Sequence, residues 1–415
     1  MRAVPTRTNL VFFGWVILTV VASAPSLANA ELPPPSAIQF EGNYSTEIRT
    51  VASGGLKRGT VFRGLAEAAL QADLAAAFRA PADTIFRLSA LLPHGGDLSG
   101  QHLGDLQGAS NIEAYNHPLL YEMWLGAKCA DGRLEVRAGR LLADGDFATT
   151  ESGGVFLNSS FGWPAFISAN TRNTGPAFDR SALGVFAGSA LAKNIRVQAG
   201  LYDGDSFDDA GGDPARYPNG LHFELGHGQG LFALGEIVLA TTTGPANAAR
   251  PGAFKFGAWR HTADFPDQFD AARKHSGNHG FYFIAEQMLW RETGSAAPQG
   301  LTAYVRTGFS PGDRSIFAQT ADVGLCCTGL LPGRDADVCG LGVAYARISG
   351  DFRRAERAAG AAAVSDYELV VEASYQIVLG AHWHLGPDLQ WIRHPGGSRA
   401  LSDALVAGLR TRVDF

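Results

Sequence analysis

The stretch "ALVAGLRTRVDF", residues 404–415, decides how this chain folds. Counting back from Phe415, Val413, Thr411, Leu409, Ala407 and Leu405 alternate with Asp414, Arg412, Arg410 and Gly408. A period of two puts successive side chains on opposite faces, so the segment reads as a strand with one apolar and one mostly polar face.

The same alternation recurs along nearly the whole chain. In 62–74, Phe62, Gly64, Ala66, Ala68, Leu70, Ala72 and Leu74 share a face, while Arg63, Glu67, Gln71 and Asp73 take the other. In 366–378, Tyr367, Leu369, Val371, Ala373, Tyr375 and Ile377 alternate with Glu368, Glu372, Ser374 and Gln376. The pattern gives sixteen strands: 38–50, 57–74, 84–93, 118–129, 133–143, 182–190, 195–203, 230–241, 253–261, 279–290, 300–310, 319–330, 337–349, 366–378, 381–392 and 404–415. Several run ten residues or more, near the length that crosses a bilayer at a tilt and longer than a soluble β-sandwich or β-helix requires.

The connections alternate too. The long stretches 94–117, 144–181, 204–229, 262–278 and 350–365 follow odd-numbered strands, whereas 130–132, 191–194 and 379–380 are short and follow even-numbered ones. Leu221 to Leu225 also alternates, but a further strand there would break this regularity, so it is assigned to a loop. Long loops on one side and short turns on the other are the plan of an outer-membrane barrel. Trp124, Trp259, Trp290, Trp383, Trp391 and Tyr375 fall toward strand ends, where an interfacial girdle is expected. The expected fold is all-β: a 16-stranded antiparallel transmembrane β-barrel, both termini periplasmic, with one or two long extracellular loops folded into the lumen. Closure is required because an open edge in hydrocarbon leaves backbone groups unpaired, at several kcal/mol each.

Composition excludes other classes. The chain has 34 basic and 40 acidic residues, a net charge of −6, and no basic cluster to suit nucleic acid. Residues 1–30 have the form of a signal peptide: Arg2 and Arg7, then an apolar run from Leu10 to Val21, then Ala28-Asn29-Ala30. Cleavage is expected after Ala30, leaving 31–415 as a single barrel domain. Beyond it no run of eighteen apolar residues offers a helical span. Four cysteines are too few for a disulfide framework. A hairpin about Pro332-Gly333-Arg334 sets Cys327 opposite Cys339, either as a disulfide or as two small apolar residues. No His or acidic partners accompany them at metal spacing, so neither a metal nor a cofactor is expected.

Ten stretches together resemble the carbohydrate-selective porins of the OprB type: "SGGLKRG" (53–59), "HGGDLSG" (94–100), "GDLQGASNIEA" (104–114), "LYEMWL" (120–125), "RLEVRAGRLLADGDFA" (133–148), "FLNSSFGWPAFISAN" (156–170), "AGLYDGD" (199–205), "LPGRDADVCGLGVAYARIS" (331–349), "PDLQWIRHPGG" (387–397) and "LVAGLRTRVDF" (405–415). The resemblance implies a sixteen-stranded outer-membrane barrel that passes sugars. Where the family commonly reads something like "AADSEF", this chain has "LADGDFA", with Gly145 for a serine and Asp146 for a glutamate.

A sixteen-stranded barrel encloses water, so selectivity must come from whatever narrows it. The longest loop, 144–181, supplies Asp144, Asp146, Glu151, Asn158 and Trp163, and its apolar middle, "VFLNSSFGWPAFI", is suited to the inside of the barrel. The loop 94–117 adds Asn111 and Glu113; the lumen faces add Arg63, Glu67, Glu122, Arg137, Arg306, Glu368, Glu372, Arg410 and Arg412. A neutral sugar, with its hydroxyls and apolar C–H faces, calls for mixed donors and acceptors beside an aromatic surface, with little net field. The blander alternatives are that lumen charges pair across strands, that Trp163 packs the loop on the wall, and that Asp144 and Asp146 hold the loop root or a calcium ion.

The function expected is passive, carbohydrate-preferring diffusion of small neutral sugars; the alternative is a general or ion-selective diffusion porin. A barrel enzyme would need a nucleophile and base, and no such motif occurs; His222, His227, His275 and His279 lie in loops or at loop edges. Expected partners are outer-membrane lipid and lipopolysaccharide, and the barrel assembly machinery through the Phe415 strand. Association as a homotrimer stays open.

Overall fold

The computed structural model describes residues 37–78, 83–209, 211–226, 228–245, 248–293 and 299–415; the expected signal peptide and the cleavage point after Ala30 lie outside the described residues. Sixteen strands follow one another: β1 (Ile38–Gly55), β2 (Gly59–Asp73), β3 (Thr84–Gly95), β4 (Leu119–Cys129), β5 (Leu134–Leu141), β6 (Ala182–Ala192), β7 (Ile195–Asp203), β8 (Leu231–Thr243), β9 (Arg250–Pro266), β10 (Lys274–Arg291), β11 (Gly300–Phe309), β12 (Phe317–Thr328), β13 (Val338–Ile348), β14 (Tyr367–Leu379), β15 (Trp383–Arg393) and β16 (Ser402–Asp414). Each pairs antiparallel with its neighbours in sequence, and β16 pairs back on β1, so the sheet is closed. The seam runs from Asn43↔Asp414 through Glu47↔Arg410 and Thr50↔Ala407 to Gly55↔Ser402. The same register that satisfies the backbone therefore sets a carboxylate opposite a guanidinium on the inner face.

Alternation assigns the faces. Along β16, Ala404 and Val406 are buried inward while Leu405, Ala407 and Leu409 point out; along β14, Glu368, Val370 and Glu372 are buried inward. Phe254, Phe256, Phe281, Val323, Leu341 and Leu409 are exposed on the outer wall, the surface that hydrocarbon covers. The segment 221–226 is unpaired, as expected of a loop.

Two expectations need correcting. The stretch 262–278 is not a long loop: β9 continues to Pro266 and β10 begins at Lys274, paired through His275↔Phe265 and Asn278↔His261. The inward side chains His261, Ala263 and Phe265 are buried, so the hairpin gains enough apolar contact to extend beyond the wall. Trp124 and Trp259 are not girdle residues. Both face inward: Trp124 donates to Glu122 Oε1 at 3.0 Å, and Trp259, 2% exposed, packs against loop residues. Trp290 and Trp383 do lie exposed on the outer wall near the short-turn rim.

The connections 96–118 and 142–181 pack against the inner wall. One apolar cluster joins Leu98, Leu103, Val155, Phe156 and Phe161 to the inward Val370, Ile392 and Val406. A second joins Phe147, Phe166 and Ile167 to the inward Phe186, Phe232, Trp259 and Tyr282. Inner-wall glycines make room for these rings. A Cβ on Gly308 would meet the Phe166 ring at 2.1 Å, and one on Gly342 would meet Phe161 at 2.8 Å.

Candidate functional site: a loop-filled lumen

Buried loops must have their backbone groups satisfied, and here the wall does it with charge. Carboxylates accept loop N–H groups. Glu368 takes those of Leu106 (2.9 Å), Gln107 (2.9 Å) and Gly396 (2.8 Å), and Glu372 takes Leu157 (2.5 Å) and Asn158 (3.0 Å). Glu236 takes Ala148 (3.0 Å), and Glu286 takes Glu151 (3.0 Å) and Ser152 (2.7 Å). Cations donate to loop carbonyls. Arg306 reaches Ala148 (2.7 Å), Gly162 (2.9 Å) and Ser160 (2.5 Å) while pairing with Asp322 at 2.9 Å, and Lys255 reaches Thr149 at 2.8 Å. Arg63 spends all three donor nitrogens on Ile112, Gly96 and Ala114.

These anchors redistribute the residues expected at the lining. Arg63 and Asn158 are shut away from solute, at 4% and 0% exposure: the first clamps loop 96–118, and the second accepts from Ser160 N and donates to Gln390 at 3.4 Å. Glu113 accepts from Ser99 N at 3.2 Å within its own loop. Asp144 accepts from Phe178 N at 2.8 Å, tying together the two ends of loop 142–181, and Trp163 donates to Thr174 O at 2.7 Å on the same loop. Glu151 is exposed.

Glu122, Arg137 and Asp146 form one group on β4, β5 and the loop root. Arg87 donates to Glu122 at 3.1 Å; Arg137 donates to Asp146 at 2.5 Å and lies 4.1 Å over the Phe186 ring. Glu67, Asn111 and Arg410 come together elsewhere, around a cavity of about 320 Å³. Arg410 bonds Glu47 Oε1 at 2.6 Å and Asn111 Oδ1 at 2.5 Å; Asn43 donates to Glu67 at 3.0 Å. Gly154, Val155 and Leu157 of the long loop line it from one side, Phe178 and Ile112 add apolar surface, and Gln376, His384 and Arg412 lie on the wall. The cavity lies within the size range of small-molecule sites and mixes donors, acceptors and apolar patches.

Sequence reasoning missed several anchors: Glu47, Arg49, Asp388 and Gln390, which form one buried chain with Ser374, and Glu236, Lys255 and Glu286. The available signal was a lone charge at inward parity inside an otherwise apolar strand, as in "LGEIVL" (234–239).

Electrostatics in the loops follow burial. Desolvation pushes the Asp144 carboxyl up to about 6 against the opposing Phe178 N–H, and pushes Glu113 up to about 8, reinforced by its contact with Asp97. All four cysteines are free thiols, with Cys327 directly opposite Cys339 in the β12–β13 register.

The family model "Carbohydrate-selective porin, OprB family" matches residues 64–415. The chain belongs to that family. Similar proteins include Porin B of Pseudomonas aeruginosa, 22% identical over 367 residues, covering 80% of this chain and 77% of that protein. A putative porin, QuiX, of Acinetobacter baylyi is 26% identical over 179 residues, 40% of each chain. Among solved structures, Pseudomonas putida OprB at high pH superposes with a TM-score of 0.80 at 20% identity, over 91% of this porin and 94% of that chain. The same protein at low pH gives 0.57 at 16% identity, over 91% and 93%. The sixteen-stranded barrel is thus the fold of this outer-membrane porin.

Proposed function

We propose that this porin passes small neutral sugars by passive diffusion, with the route bounded by loops 96–118 and 142–181 and running past the cavity at Glu67, Asn111 and Arg410. The observation that carries the reading is the pairing of both charge signs at that cavity, beside Phe178 and Ile112. Opposed charges held close together leave little net field to draw simple ions, while their remaining lone pairs and N–H groups suit hydroxyls. Binding must stay weak, since a tightly held solute blocks the route. In the same reading the chain is exported with cleavage after Ala30, and β16, with Phe415 exposed at its end, is the segment the assembly machinery engages.

The test is liposome swelling with the porin reconstituted, comparing sugars with size-matched amino acids. Faster entry of sugars is expected, and equal rates would leave a general diffusion pore instead. The double change Asn111→Ala with Arg410→Ala is expected to narrow the difference between the two solute classes; an unchanged difference would remove these residues from the route.

A further inference from the structure

The outer wall of β8, β9 and β10 carries a feature that solute passage does not use. Register sets Ala233, Arg260 and His279 in one outward row and Gly235, Ala258 and Phe281 in the next. These six line a shallow concavity of about 340 Å³. The row below it is fully apolar, with Ile237, Phe256 and Phe283. Along β9 the outward residues beyond Arg260 are Thr262 and Asp264, both exposed. Arg260 is therefore the first polar outward residue of β9 on the long-loop side, where hydrocarbon gives way to head groups.

The Arg260 side chain is exposed and makes no hydrogen bond or ion pair among the described residues. This contrasts with the inward charges of the same three strands, since Glu236, Lys255 and Glu286 are all committed to loop anchoring. An unpaired guanidinium facing the acyl region is costly, but at the head-group level it meets anions and water. Its planar fork matches two phosphate oxygens, and the cross-strand neighbour His279 adds a ring N–H donor. Beside them Ala233, and in the row below Gly235 and Ala258, leave an apolar hollow on a wall that elsewhere presents Phe254, Phe256 and Leu289. A donor pair directly above an apolar hollow suits a ligand that has an anionic head and a hydrocarbon chain.

We propose that Arg260 and His279 bind the phosphate of a phosphorylated lipid of the outer leaflet, with one of its acyl chains lying in the hollow of Ala233, Gly235 and Ala258.

The experiment is native mass spectrometry of the full-length porin in detergent, incubated with bisphosphorylated lipid A, with the same lipid after removal of its phosphates, or with lipid A plus excess inorganic phosphate. Wild type is expected to retain the phosphorylated lipid and not the dephosphorylated one. Arg260→Gln with His279→Gln is expected to lower retention about tenfold, the loss of one charge-assisted contact. Ala258→Phe, which fills the hollow, is expected to lower it as well. Arg393→Gln, an outward arginine of β15 beside Leu369, is expected to leave retention intact. Heat-modifiable migration on gels verifies that each variant is folded, and sugar flux is expected to be the same in all of them. Equal retention by the double variant, equal retention of dephosphorylated lipid, equal loss in Arg393→Gln, or complete displacement by inorganic phosphate would each overturn the proposal.

Discussion

Arg306 shows how much of this lumen depends on single side chains. It is fully buried, pairs with Asp322, and holds three loop carbonyls from residues 148, 160 and 162. Arg306→Ala leaves Asp322 buried without its partner, and a loss of about 3–5 kcal/mol is expected for breaking such a pair. A lowered midpoint for urea unfolding in micelles, together with larger and noisier single-channel conductance, would register it; conductance at the wild-type level would mean the loop is held without Arg306. Two loop carboxyls give a pH dependence with a definite sign. Asp144 and Glu113 are raised to about 6 and about 8 by burial, above their ordinary values of 3.8 and 4.5. Between ordinary and folded values the unfolded chain has released a proton that the folded chain still holds. Their contribution is therefore complete below about pH 4 and is lost as pH rises through 6 and then 8. Asp144→Asn with Glu113→Gln is expected to flatten this part of the stability profile, measured by urea midpoints from pH 4 to 9. A slope equal to wild type would assign the dependence to other groups.

At the scale of elements, the constriction consists of loops whose apolar rings dock on inner-wall glycines and whose backbones end on wall charges. The stretch Gly153–Gly162 holds Phe156 and Phe161 against Val370 and Ile392 and meets Glu372 and Arg306. Deleting it should leave the strands paired while raising conductance several-fold and equalising swelling rates for sugars and amino acids. Retention of sugar preference in that variant would place selectivity in loop 96–118 or the wall. This loop's inward destination was legible, because "VFLNSSFGWPAFI" is too apolar for a solvated loop. Which of its polar groups stay open was not. Asn158 and Glu151 read alike in sequence, yet the first is sealed between Glu372 and Gln390 and the second is exposed. Nor was the β9–β10 extension legible, since the packing that supports His261 and Phe265 comes from residues distant in sequence, such as Gly204 and Phe232.

For the whole molecule, closure is the governing fact, and the stretch 404–415 is where it happens. β16 pairs with β15 on one edge and β1 on the other, and Phe415 N donates to Gly42 O at 2.9 Å. Removing Phe415 is expected to reduce the yield of heat-modifiable barrel in the outer membrane severalfold while flux per inserted barrel stays the same. A normal yield would show that assembly does not read this residue. Strand number, antiparallel order, the alternation of facing along most strands and the presence of an inserted loop were all determined by sequence alone. Period-two alternation and loop length are local properties, and hydrocarbon outside with water inside allows few ways to satisfy them. Only the tertiary structure decided which lumen charges anchor loops and which remain open to solute. It also placed Trp259 inside and Arg260 outside. A charge's role depends on which backbone groups arrive opposite it, and those come from loops up to 262 residues away, as Leu106 meets Glu368.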